Sequence, residues 1–390
     1  MKEQWQYKRL GDICTIVGGS TPKTNIQEYW GGNNYWVTPA DLNGNKYQGA
    51  TKKTITDDAV IKTNLQLLPI GTVLLSSRAP IGKVAITTVP MYCNQGFKNI
   101  ICSESLLNEF VYWFLFCNTD YLNSLGTGAT FKEISKKTTE NIKIPVPSLT
   151  EQERIVSELD LLSGIIDKQK AQLKELDNLA QSIFYDMFGD PVENEKGFGH
   201  KKIEEVCSVT SSTRIFAYEY SESGIPFYRG KEVSELSRGE SISSELYISL
   251  ERYSQLLDDN NVPCLNDILI TAVGTIGNIW VVNTSKPFYF KDGNIIWLRN
   301  INFSKLNSSY FRFSLYKMIA YEKENMSIGS AYKALTIQNL KKMNILIPSL
   351  VLQEKFAEKI ERIEKQKEAI TRSIADTQQL FDYTMDKYFG

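Results

Sequence analysis

From Ile155 onward, apolar residues return at alternating steps of four and three: Ile155, Leu159, Leu162, Ile166, Leu173, Leu176, Ala180, Ile183 and Met187. Only Gln169 interrupts the series. This spacing keeps one face of an α-helix apolar and predicts a helix of about 36 residues, roughly 55 Å long at 1.5 Å per residue. Typical helices run ~11 to 12 residues, so this one reads as a spacer with a pairing seam rather than an ordinary core helix. A second series, Phe356, Ile360, Ile363, Ile370, Ile374, Phe381 and Tyr388, repeats the pattern with Lys367, Thr377 and Thr384 as polar interruptions. Two such seams predict two helices that pack together.

The stretches between the helices are patterned differently. Short apolar or alternating runs at 72–75, 84–88, 268–271, 278–282 and 294–298 read as strands, bounded by Gly, Pro, Asn and Ser. Residues 106–117 and 309–321 read as helices. Thr150-x-x-Glu153 offers a capping box at the first long helix, Pro147 and Pro348 stop the preceding strands, and Gly189 with Asp190-Pro191 stops the first helix. The expected fold class is α+β, with a globule at 1–146, a helix at 147–190, a second globule at 191–347 and a second helix at 348–390. Globules of roughly 145 to 155 residues sit within the single-domain range.

The two halves are a direct repeat. PSLTEQE from Pro147 and PSLVLQE from Pro348 lie 201 residues apart, and the same offset places Phe188-Gly189 on Phe389-Gly390. Eight of the 43 paired positions from Pro147 to Gly189 are identical, and seven of these sit at the two ends, so no gap is needed between them. Upstream, Gly128, Phe131 and Lys132 fall on Gly329, Tyr332 and Lys333. Ile81-Gly82 pairs with Ile276-Gly277, and Cys14 with Cys207, at offsets that drift as loop insertions would make them.

Composition narrows the function by exclusion. A single histidine, His200, leaves almost no material for a Ser-His-Asp triad or a multi-histidine metal site and reads as a surface residue. The six cysteines contain no C-x-x-C pair, and neither a G-x-x-x-x-G-K-[ST] nor a G-x-G-x-x-G loop occurs. No apolar run approaches the ~20 residues of a membrane span, and the start lacks the apolar core of a signal peptide, which predicts a cytosolic chain without a membrane partner. Catalysis, metal and cofactor binding are therefore not expected of this chain. The formal net charge of -1 hides a partition: +4 for 1–146, -5 for 147–190, +1 for 191–347 and -1 for 348–390. The globules carry the positive bias that nucleic-acid binding needs, though less than an unaided DNA binder would show.

Candidate DNA-contact residues lie in the loops: Arg78, Lys83, Asn94, Gln95, Lys98, Thr130, Phe131 and Lys132 in the first globule. The second offers Arg229, Lys231, Lys291, Tyr332 and Lys333. Arg and Lys can read guanine, and Asn and Gln adenine, through paired hydrogen bonds in the major groove. The repeated Gly-x-x-aromatic-Lys before each long helix stands out among them.

Taken together, Ile144-Pro-Val-Pro-Ser-Leu-Thr-Glu-Gln-Glu-Arg-Ile155, Leu346-Ile-Pro-Ser-Leu-Val-Leu-Gln-Glu354, Gln181-Ser-Ile-Phe-Tyr-Asp-Met-Phe-Gly189 and Tyr388-Phe-Gly390 resemble the DNA specificity subunit of type I restriction–modification systems. The resemblance covers essentially the whole chain. It implies two target-recognition domains, each reading half of a split, asymmetric sequence in double-stranded DNA, with the helices paired antiparallel as a ruler. It further implies two copies of an S-adenosylmethionine-dependent adenine methyltransferase subunit and, for restriction, motor-nuclease subunits. In keeping with this, the chain has no Asn-Pro-Pro, no F-x-G-x-G, and no Lys preceded two positions earlier by Asp or Glu. Leu352 stands where the first helix has Glu151, a departure in the second spacer. A non-DNA-binding coiled-coil scaffold, an enzyme with an unrecognised site, and a specificity subunit of a related multisubunit system remain alternatives.

Overall fold

A computed structural model describes residues 5–78, 80–128, 132–326 and 335–390. The chain divides into two compact units, Met1–Ala171 with Ile370–Gly390, and Gln172–Ala369. Each unit thus holds one α+β globule, part of the long helix that follows it, and the matching length of the other long helix.

In the first unit, a five-stranded sheet has the order Cys14–Gly18, Lys98–Cys102, Val73–Leu75, Val84–Thr87, Tyr47–Gln48. A three-stranded sheet of Thr54–Ile55, Trp30–Val37 and Tyr92–Cys93 adjoins it, its last pair parallel. The second unit repeats the plan. Its four-stranded sheet runs Ser208–Thr210, Ile295–Arg299, Ile268–Thr271, Ile279–Val281, and its other sheet carries the matching parallel pair, Ile225–Tyr228 with Tyr289–Phe290. In both, a two-stranded antiparallel pair closes the globule at the foot of the long helix, Gln6–Arg9 with Lys143–Val146 and His200–Lys202 with Asn344–Leu346.

The strand runs Val73-Leu-Leu and Ile268-Leu-Ile-Thr are buried throughout, as expected of residues covered on both faces. Each is followed by the paired Ile-Gly noted in the sequence. Gly82 and Gly277 have φ of +93° and +89°, and their N–H groups donate back to Ser76 O and Thr271 O at 3.1 and 2.8 Å. A Cβ there would meet Thr119 or Ile319 at 2.8 or 2.9 Å, so the turn admits only glycine comfortably.

The long helices are Leu149–Phe188 and Leu350–Phe389, each of 40 residues. The N-cap is Ser148, whose hydroxyl accepts from Glu151 N at 3.3 Å, and not the expected Thr150, which lies inside the helix and is exposed. Both Ser148-x-x-Glu151 and Thr150-x-x-Glu153 fit the pattern in sequence. The strand ending at Val146 leaves no room for two further non-helical residues after Pro147-Ser148.

The repeated Gln of the PSLxxQ motif has a defined task. Gln152 and Gln353 are fully buried. Gln152 accepts from Leu107 N at 2.9 Å and donates to Ser105 O and Pro147 O at 3.0 Å. Gln353 makes the same three bonds, to Asn307 N at 2.8 Å and to Lys305 O and Pro348 O at 2.9 Å. One amide thus ties the helix start to the loop that opens the globule's own helix, Asn108–Cys117 or Ser308–Met326.

Within each unit the long helices run antiparallel. In the first unit Arg154 donates to Tyr388 Oη at 3.1 Å, Tyr388 donates to Glu158 at 2.8 Å, and Gln169 donates to Ser373 Oγ at 2.7 Å. In the second, Lys367 pairs with Asp177 at 2.7 Å and Phe184 packs on Phe356. The polar interruptions are therefore matched. Thr384 is buried with its hydroxyl turned to Leu380 O of its own helix at 2.7 Å.

Of the predicted seam residues, Ile155, Leu159, Leu162, Ile166, Ala180, Phe356, Ile360, Ile363 and Phe381 are buried. Leu173, Leu176, Ile183, Ile370 and Ile374 are half-buried. Two fully buried aromatics fall outside the four-three series or beyond its end, Phe184 and Phe188. Phe188 packs on Tyr310 with ring centroids 4.6 Å apart, and its repeat mate Phe389 packs on Phe110 at 5.3 Å. The Phe-Gly that closes each repeat thus docks on the globule of the other repeat.

Candidate nucleic-acid interface

In the first unit a ladder of backbone bonds gathers most of the candidate loops on one edge of the globule. Asn94 Oδ1 accepts from Gly96 N at 3.0 Å, Ser77 N donates to Gly96 O at 2.8 Å, and Ile134 N donates to Ser77 O at 2.9 Å. Thr127 and Glu133 exchange both backbone bonds, at 3.0 and 2.9 Å, so the loop that carries Lys132 is pinned at its base. Asn94 is consequently a turn-forming residue, while Gln95 is exposed and hydrogen-bonded with Thr21.

The cations on this edge differ in their freedom. Glu133 holds Arg78 at 2.8 Å and Lys98 at 3.1 Å, and Lys98 also donates to Ser77 Oγ. Burial alone would raise the Glu133 carboxyl, but the hydrogen bonds from Lys98 and Arg78 outweigh it and hold that carboxyl below its ordinary value. Arg78 keeps 46% of its side chain exposed and Lys98 only 12%, so Arg78 can present its remaining guanidinium donors outward. Lys132 is exposed and has no hydrogen bond or ion pair among the described residues. Lys83 is occupied otherwise: its ammonium donates to Pro39 O and Leu42 O at 3.1 and 3.0 Å and fastens a neighbouring turn.

The second unit builds the same ladder. Lys291 N donates to Tyr228 O at 2.9 Å, Ala272 N to Asn294 O at 2.8 Å, and Leu335 N to Ala272 O at 3.1 Å. Arg229 stands beside this turn, but Glu232 and Glu245 bind its guanidinium at 2.8 and 3.0 Å, and Lys231 lies 3.9 Å from Glu245. Burial pushes the Glu232 carboxyl up, and bonds from Arg229 more than reverse this. Lys291 makes no side-chain hydrogen bond or ion pair among the described residues, and it lines a cleft of about 520 Å³ with Arg214. Thr130, Phe131, Tyr332 and Lys333 lie outside the described residues.

Sequence reasoning passed over Glu133, which sets the orientation of two candidate cations, and Arg214. The repeat could have found Arg214: it follows the strand Ser208–Thr210 as Thr21 and Lys23 follow Cys14–Gly18. Among the described residues no helix is long and apolar enough to cross a membrane.

Two modules of one construction, each with cations and amides on a laddered edge and each tied to long antiparallel helices, define a protein with two readers on a shared spacer. A family model for the type I restriction modification DNA specificity domain matches the chain twice, over residues 2–178 and 195–377. The type I restriction enzyme MjaIX specificity subunit of Methanocaldococcus jannaschii is 32% identical over 378 residues, which cover 91% of this chain and 85% of that protein. The S subunit of a type I restriction–modification system from M. genitalium matches in structure over 99% of this chain and 96% of its own, with TM-score 0.58 and 14% identity. A chain from a structure on complex assembly and conformational transition of the type I system covers 99% and 97%, with TM-score 0.60 and 19% identity. These two share the fold.

The chain belongs to the type I restriction–modification DNA specificity family. It is a DNA sequence-recognition subunit and non-catalytic, the family's chemistry residing in partner subunits.

Proposed function

We propose that this chain reads a split, asymmetric DNA site, one half with each globule, and directs adenine methylation or restriction by its partners. The observation that carries this reading is the exact doubling of the helix anchor. Gln152 and Gln353 fix two differently sequenced globules to two like helices by the same three hydrogen bonds. Readers that share a scaffold but not a surface suit two unlike half-sites.

The DNA-facing residues are Arg78, Gln95, Lys98, Lys132 and the segment of Thr130 and Phe131 in the first globule. In the second they are Arg229, Lys231, Lys291 and the segment of Tyr332 and Lys333. Arg78 and Arg229 are each oriented by a carboxylate, which suits a guanidinium that must address a base edge at fixed geometry. The partners are double-stranded DNA, two methyltransferase subunits that bind S-adenosylmethionine, and motor-nuclease subunits, all acting within the cytoplasm.

Long-read mapping of methylated adenines tests this in cells that express the chain with its cognate methyltransferase, against the methyltransferase alone. A split motif that appears only with this chain is the expected result. No new methylation from a soluble, associated pair of proteins would overturn the reading.

A further inference from the structure

The second globule carries a cleft whose lining joins the candidate Lys291 to Arg214, a residue that the sequence motifs do not mark. It measures about 520 Å³, and its lining includes Arg214, Phe216, Tyr220, Lys291, Asp292 and Asn294. Two chain segments meet there, the one that leaves the strand Ser208–Thr210 and the turn that follows Tyr289–Phe290. Ser212 Oγ donates to Phe290 O at 2.8 Å in a buried bond and Thr213 N to Tyr289 Oη at 2.9 Å, so the two segments are tied to one another.

Most cations nominated from the sequence are already engaged by protein groups. Glu133 holds Arg78 and Lys98, Glu232 and Glu245 hold Arg229, Glu245 lies near Lys231, and carbonyls hold Lys83. At the cleft the pattern reverses. Neither Arg214 nor Lys291 has a side-chain hydrogen bond or ion pair among the described residues. The Arg214 guanidinium lies 5.1 Å from the ring of Phe216, which stacks on Tyr218 at 5.5 Å and an interplanar angle of 7°. Phe216 and Tyr218 are 44% and 82% exposed, a display of stacked rings beside two cations that lack ion pairs among the described residues.

We infer that in this cleft Arg214 joins Lys291 of the DNA-facing set, and that the two clamp the sugar-phosphate backbone beside the half-site read by the second globule. The lining favours a duplex over a small anion. A free anion would meet the carboxylate of Asp292, whereas a nucleic-acid edge offers phosphates for the cations and base amino groups that an Asp can accept from. Cations free of intramolecular ion pairs suit phosphate contacts, because no existing ion pair must open. The inference rests on the DNA-reading function proposed above.

The test uses the complex assembled with its methyltransferase subunits and a duplex carrying the methylation motif mapped for the wild type. Binding is followed as salt is raised. Each lost phosphate contact lowers the slope of log affinity against log salt by about one, so the Arg214→Ala, Lys291→Ala double variant is expected to lose about two. The mapped motif should stay the same, since backbone contacts carry no direct sequence information. The charge-conserving Arg214→Lys, Lys291→Arg variant should keep the slope, which separates lost charge from lost folding.

An unchanged slope in the alanine variant, with wild-type complex binding its motif, overturns the inference and leaves the function intact. Loss of methyltransferase association in that variant, restored in the conservative one, would instead make the cleft a protein interface and also overturn it. Wild-type complex that binds no duplex would remove the underlying function itself.

Discussion

Gln152 and Gln353 show how much one residue can decide here. Each joins three backbone segments with one buried amide, so truncation strands one N–H and two carbonyls. Gln152→Ala should cost on the order of 3 kcal/mol, since buried polar groups left unpaired cost ~1 to 3 kcal/mol. Hydrogen exchange at Leu107 N–H, with urea unfolding of the whole chain, would check it. Ser148→Ala should cost about 1 kcal/mol through its cap, while Thr150→Ala should change stability by less than ~0.5 kcal/mol; the reverse order would restore the Thr150 cap. Glu133 supplies a pH prediction. Its folded-state value lies below the ordinary 4.5, so the stability it lends to the Arg78–Lys98 edge is complete above that pH and is lost as pH falls through the lower folded value. Protection of the Thr127 and Glu133 amides, measured against the intrinsic exchange rate at each pH, should therefore fall on acidification, and Glu133→Gln should abolish that fall. The glutamine was visible in sequence as an identity 201 residues apart. Its partners Ser105 and Leu107, and the Glu133 that holds Lys98, were not, because they lie 35 to 47 residues away and no local pattern names them.

At the scale of elements, the helices and most strands were legible because each obeys a single period. The run Ile268–Thr271 is a strand at the expected residues, and the four-three series follows the buried face from Ile155 to Ile166. The series misses Phe184 and Phe188 because the helix end is no longer packed only on its partner helix there. It enters the core of the second globule, and its buried face is set by Tyr310, Phe313 and Phe356. Phe188→Ala should accordingly cost about 3 to 5 kcal/mol, and amide exchange should report the loss in the unit of Gln172–Ala369. A loss shared equally by both units would contradict this. If the helices set the spacing between half-sites, four residues inserted both after Ala171 and after Ala369 lengthen each by about 6 Å. The spacing in the methylation motif should then grow by one or two base pairs, at roughly 3.4 Å each, with both half-sites unchanged. An altered half-site at constant spacing would sink the ruler.

For the whole molecule, the repeat announced two modules, but it could not show that each compact unit borrows the end of the other repeat's helix. That exchange depends on Phe188 meeting Tyr310 and Phe389 meeting Phe110, contacts between residues more than a hundred positions apart. The charge balance raises a further question at this scale. With +4 on the first globule, +1 on the second and -5 on the first helix, the chain can neutralise few phosphates unaided. Carboxylates within that balance already face several of the cations: Arg78 and Lys98 share Glu133, and Arg229 meets Glu232. Affinity for duplex DNA grows with the counterions released, at a slope of about 0.9 per phosphate contacted. The isolated chain should therefore bind its own motif with a shallow salt dependence, and the slope should steepen by several contacts once methyltransferase subunits join. Fluorescence anisotropy on a labelled duplex across about 50 to 200 mM salt, with and without those subunits, measures both slopes. Equal slopes would mean that the two globules supply every phosphate contact themselves, and that base reading and backbone grip are not divided between this chain and its partners.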